Sequence, residues 1–108
     1  MNFRTISLLI IAGLAEISGA YFIWQWIRNG KSAWLGLLGV VALFAYAFTQ
    51  TMQDFNFGRV FAAYGGIFIA LALLWGWVLD GQAPDRWDWL GASFALVGAF
   101  IILWGPRS

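Results

Sequence analysis

Four long apolar runs, each closed by a short polar cluster, set the pattern of this chain. The first runs from Thr5 to Ile27, between Arg4 and the cluster Arg28-Asn29-Gly30-Lys31. The second covers 32–52 and stops before Asp54, and the third covers 60–79, between Arg59 and Asp80. The fourth covers 87–104, ahead of Gly105-Pro106-Arg107. Crossing the hydrocarbon layer takes about 20 apolar residues. Backbone groups cannot stay unpaired in that layer, so each run is expected to be a helix. The pattern predicts an all-α membrane protein, with one four-helix transmembrane domain over residues 1–108. The first run exceeds the ~7–15-residue core of a cleaved signal, and three similar runs follow it. It is expected to remain as a span.

Tryptophan positions test the count of spans. Indole rings favour the headgroup level. With four spans, the first and third connections share one membrane face, and Trp24, Trp26, Trp34, Trp75, Trp77, Trp87 and Trp89 all fall near them. Only Trp104 falls at the opposite edge. A different count would scatter these side chains through the bilayer.

Composition narrows the solvent and the chemistry. Apolar residues make up 62% of the 108 and charged residues 10%, whereas soluble domains are roughly a quarter charged. Mean hydropathy is +0.78. The lipid bilayer is therefore the expected surrounding. A net charge of +1 gives no basic field for nucleic acid. Histidine and cysteine are both absent. Imidazole acid–base chemistry, thiol nucleophiles and the usual transition-metal ligands are absent with them. No cofactor or metal is expected, and neither a triad nor a phosphate loop points to an enzyme.

The basic residues divide evenly between the two faces. Arg4, Arg59 and Arg107 fall on the terminal side, and Arg28, Lys31 and Arg86 on the other. Orientation follows an imbalance of Lys and Arg in short loops. An even division suits a chain inserted in both directions, with one fixed orientation as the alternative. In the third connection, Asp80, Asp85, Arg86 and Asp88 read as a solvated turn around Pro84, with Asp88 as a candidate cap for the last helix. Arg59 reads as a headgroup-seeking side chain or as a gate contact with Asp54 or with the partner chain.

Glu16 stands out because it is the one acid or base deep inside a span. An acidic side chain at the bilayer centre costs at least about 2.5–3.5 kcal/mol, and such residues usually face a protein interior or a wet cavity. Ala12, Gly13, Gly19 and Ala20 share its helix face and leave room for a neighbouring helix or a ligand. A protonated Glu16 bonded permanently to another helix is the purely structural alternative. Small residues recur at packing intervals elsewhere, at Ala62, Gly66 and Ala70 and at Gly91, Ala95 and Ala99 beside Gly98. Tyr64, Gly65 and Gly66 are candidates to border a cavity with Glu16.

Three stretches carry a resemblance: Leu14-Ala15-Glu16-Ile17-Ser18-Gly19, the run from Phe57-Gly58-Arg59 to Tyr64-Gly65-Gly66, and Asp80-Gly81 followed by Trp87-Asp88-Trp89-Leu90-Gly91-Ala92. Together they resemble the YnfA family of bacterial inner-membrane proteins. That family is itself similar to the small multidrug resistance transporters of the drug/metabolite transporter superfamily. The resemblance implies antiparallel homodimers that exchange protons for small cationic substrates, with Glu16 as the shared proton and substrate carboxylate. Tyr64 is implied as a second site residue, Gly19, Gly65 and Gly66 as packing near the site, and Gly91, Ala95 and Gly98 as the dimer interface. The chain departs from those transporters where Trp24 stands in place of their lysine and where Ala63-Tyr64-Gly65-Gly66-Ile67 replaces their third-span pattern. A passive small-ion channel and a non-transporting assembly subunit remain as rival readings.

Overall fold

A computed structural model describes residues 3–106 and contains four helices. They are α1 (Phe3–Ile27), α2 (Ala33–Gln50), α3 (Phe57–Asp80) and α4 (Arg86–Trp104). All four are long and apolar enough to cross a membrane, and no strand occurs among the described residues. Arg107, counted above with the cations of the terminal side, lies outside the described residues. At 1.5 Å per residue, α2 and α4 are about 27 and 28 Å long, close to the ~30 Å hydrocarbon layer. The helices α1 and α3 are about 36–38 Å long and reach into the headgroup region.

The caps explain where these bounds depart from the hydropathy pattern. Ser32 caps α2, its hydroxyl accepting from the Trp34 backbone N–H at 3.2 Å. Thr51 is the C-cap, so α2 ends before the apolar run does. The Asn56 side chain accepts from the Arg59 backbone N–H at 2.9 Å, and α3 therefore begins at Phe57 rather than Val60. The cap of α4 is Asp85, not Asp88. Asp85 accepts from the Asp88 backbone N–H at 2.8 Å, and Asp88 accepts from the Asp85 N–H at 3.0 Å. This reciprocal pair is a capping box built from two aspartates. Past the ends of α1 and α3, Gly30 and Gly81 take φ of +67° and +70°. Their successors, Lys31 and Gln82, donate back to the carbonyls of Gln25 and Gly76. These closures require the left-handed backbone that glycine adopts without strain.

The helices form two antiparallel hairpins, α1–α2 and α3–α4, which meet mainly through α1 and α3. Each hairpin closes where glycine removes a side chain. A Cβ on Gly39 would stand 2.6 Å from the Gly19 carbonyl oxygen, and one on Gly66 would stand 2.5 Å from that of Ala95. Backbone-to-backbone approach of this kind is the usual way membrane helices gain contact. Leu9, Ala12, Ala63, Tyr64, Ile67, Ala99 and Leu103 form the core cluster, drawn from α1, α3 and α4. The result is a slab measuring 53 × 34 × 20 Å. It exposes 7051 Å², against about 6,000 Å² expected of a compact soluble chain of this mass. Phe44, Phe94, Val78 and Ile101 are each more than 60% exposed. Such a surface is stable in lipid or against another protein surface, not in water.

The terminal face is tied together by polar contacts from α1 to the α2–α3 connection. Arg4 pairs with Asp54 at 2.9 Å and donates to the Met52 carbonyl at 2.7 Å. Gln53 donates to the Thr5 carbonyl at 3.2 Å. Asp54 is thus engaged by Arg4, and the gate contact considered for Arg59 is not formed. At the opposite face, tryptophans cluster as their spacing predicts. Trp77 and Trp89 meet edge-on at 6.0 Å, and Trp26 packs over Gly36.

Candidate functional site

Glu16 lies within one residue of the midpoint of α1, and its side chain is half-buried. The Tyr64 hydroxyl, from α3, donates to Glu16 Oε1. Two local features bring this pair together. Gly13, one turn before Glu16, has no side chain, and the edge of the Tyr64 ring lies 3.8 Å from where its Cβ would be. Ala12 and Ala63 are fully buried between the helices and keep α1 and α3 close. The Leu71 side chain of α3 fills the space at Gly13, and the tyrosine ring borders it and carries its hydroxyl to the carboxyl group.

Aromatic rings then hold Tyr64 in place. It is 5% exposed and packs on Tyr46 of α2 at 5.5 Å, Phe68 at 5.6 Å and Phe61 at 6.3 Å between centroids. Tyr46 thereby joins a third helix to the site. It stands one helical turn before Gln50, a buried polar residue that is 6% exposed. Spacing did not single out Tyr46. The available signal was its rarity as a polar-tipped side chain in the middle of α2.

The small residues expected around Glu16 serve several different contacts. Gly19 faces Gly39 and Leu43 and serves the α1–α2 contact. Gly66 faces Ala95 and Ala99 and serves the α3–α4 contact. Gly65 opens onto empty space. The three α4 residues grouped as one interface also divide. The Ala95 carbonyl sits under Gly66, while Gly91 and Gly98 meet nothing within 4 Å. The reason is angular: on a 3.6-residue turn, Gly91 and Gly98 share a stripe that Ala95 borders rather than occupies.

An ionised carboxylate can accept about four hydrogen bonds, and Tyr64 is the one side-chain donor that reaches Glu16. No cationic side chain pairs with Glu16 among the described residues. The remaining acceptor positions suit either a proton or a cationic ligand. Toward the tryptophan-rich face, a cleft of about 530 Å³ opens between α1 and α3. It begins at Ile17 and Phe68, next to the Glu16–Tyr64 pair.

Comparison with known proteins places the chain. The family described as "Uncharacterised BCR, YnfA/UPF0060 family" matches residues 2–108. A UPF0060 membrane protein of Halalkalibacterium halodurans is 59% identical over 102 residues, covering 94% of each chain. One from Synechocystis is 49% identical over the full 108 residues of both chains. The UPF0060 membrane protein YfjF of Bacillus subtilis is 51% identical over 99% of each. No solved structure matches it significantly. With four membrane-spanning helices and a family match along nearly its whole length, the chain belongs to the YnfA/UPF0060 family of multi-pass bacterial membrane proteins.

Proposed function

We propose that this protein is a proton-coupled exporter of small or lipophilic cations, working as an antiparallel homodimer in the bacterial inner membrane. The observation that carries the reading is a carboxylate at mid-membrane with one hydrogen-bond donor and no cationic partner. A permanently structural Glu16 would be expected to have its acceptors satisfied, since buried polar groups left open are costly. An exchange site must instead keep them available to proton and substrate in turn.

The shape of one copy supports a dimer. The slab is 20 Å in its thinnest dimension, about two helix diameters, and cannot surround a transport path. Because Glu16 lies near the middle of α1, inverting one copy leaves its carboxylate at the same depth. Two opposed copies would therefore set two carboxylates near one midplane site, the arrangement that inverted repeats produce within larger transporters. Protons and a cation then compete for the pair, and alternating access is an exchange of conformations between the copies.

The test is purified protein in liposomes, with substrate-induced current recorded for a panel of small and lipophilic cations under an imposed pH gradient. Wild type is expected to give currents that vary with the gradient, and Glu16→Gln to give none. Gradient-driven current that persists in Glu16→Gln would overturn the reading. Flux without proton coupling in wild type would point to a passive channel, and no flux from a folded dimer to an assembly subunit.

A further inference from the structure

The 530 Å³ cleft lies between the C-terminal halves of α1 and α3, and its size is that of sites for drug-sized molecules. Ile17 and Phe68 lie at its deep end, Tyr21, Trp24 and Trp75 line it, and Asp80 lies nearest the membrane surface. Tyr21 and Trp75 meet edge-on at 5.6 Å and form one continuous aromatic wall.

Three features fit this cleft to a positively charged ligand. Asp80 is the last residue of α3, where the carbonyl end of the helix already carries partial negative charge and a carboxylate is unfavourable. No ion pair compensates Asp80 among the described residues, and no cationic side chain lines the cleft. The walls are aromatic faces, which attract cations. Trp24 displays that preference within the chain, holding the Arg28 guanidinium 5.0 Å from its ring centre. The Trp75 indole nitrogen is shielded from solvent and has no hydrogen-bond partner.

We infer that the α1–α3 cleft is a second ligand site, an antechamber for planar organic cations, with Asp80 taking the charge and Tyr21 and Trp75 the rings. It is distinct from Glu16, because Asp80 is sixteen residues beyond Tyr64 on α3, or about 24 Å along the helix. The inference extends the cation reading of Glu16 and rests on it for the direction of travel, but its binding event does not need Glu16.

The experiment measures ethidium binding to purified protein in micelles, in a Glu16→Gln background that removes the central carboxylate. Ethidium is expected to bind this variant, and adding Asp80→Asn is expected to weaken that binding at least fivefold. The loss should shrink at high salt, since exposed charges are screened, while binding of uncharged pyrene stays unchanged. Asp80 is exposed, and its replacement relieves an unfavourable helix-end charge, so a melting midpoint at or above that of the parent is the control for folding. Unchanged ethidium affinity in the Asp80→Asn variant would overturn the proposal. So would complete loss of binding in Glu16→Gln alone, the result expected if lipid or a second copy fills the cleft. Coupled transport persisting in Glu16→Gln would defeat the exporter mechanism while leaving the cleft's affinity pattern as it stands.

Discussion

At the scale of single residues, the Glu16–Tyr64 pair separates packing from chemistry within one side chain. The Tyr64 ring is held by Tyr46, Phe61 and Phe68, and only its hydroxyl reaches Glu16. Tyr64→Phe keeps the ring contacts and removes one donor to a carboxylate, an interaction typically worth about 1.5–3 kcal/mol. If the protein is the proposed exporter, the expected outcome is a fall of about tenfold or more in cation-driven current from a variant that still folds. A variant that transports normally would show that the hydroxyl is a structural tie. Glu16 was conspicuous in the sequence because a carboxyl group amid apolar residues is costly at mid-membrane depth. Its partner was only a candidate, since nothing in the spacing of α3 says which side of Tyr64 turns toward α1.

Among the helices, adjacent glycines with opposite environments give a sharper test than either would alone. A Cβ at Gly66 would stand 2.5 Å from the Ala95 carbonyl oxygen and 2.8 Å from the Ala99 methyl, whereas a Cβ at Gly65 meets nothing. Gly66→Ala must push α3 from α4, and overpacking of this kind costs about 1–3 kcal/mol. Gly65→Ala should leave stability unchanged or slightly raised, because alanine is the better helix former. Melting of both variants in the same detergent checks the contrast. The α4 capping box predicts a further effect: Asp85→Ala should cost about 1 kcal/mol, and Asp85→Asn much less. The composition of α3 and α4 announced close packing, but the helix that each small residue faces follows from rotation about the helix axis.

For the whole molecule, the exposed apolar surface and the even distribution of basic residues lead to predictions about assembly. The stripe of Gly91 and Gly98 on α4 is open, with Phe94 and Ile101 exposed alongside. Gly98→Leu is expected to leave the helices of one copy intact, since the position has free space, while abolishing the proposed homodimer. Crosslinking or light scattering in mild detergent would check this, and an unchanged dimer would place the interface elsewhere. The chain has no cysteine, so a single Gln82→Cys in the α3–α4 connection reports orientation cleanly. Labelling by an impermeant reagent is expected to reach about half the protein from each side of the membrane. Adding two lysines to that connection should drive the label to one side, by the positive-inside rule.

Much of this architecture is written in the order of residues. Apolar runs longer than a bilayer is thick leave the backbone no alternative to helices, and polar clusters mark where each must end. Tryptophan placement settles the number of crossings for a similarly local reason, the preference of indole for the interface. Glu16 is legible because its cost is fixed by depth alone. The tertiary structure decided what depends on the rotation and pairing of helices. It turned Gly19 to α2 and Gly66 to α4, placed Tyr64 on Glu16 beside Gly13, and gave Asp54 to Arg4. It also opened the Tyr21–Trp75 cleft below Asp80. In a chain apolar on nearly every helix face, hydrophobicity cannot say which face turns inward. Fit between small residues and neighbouring backbones makes that choice, and such fit exists only once the helices have met.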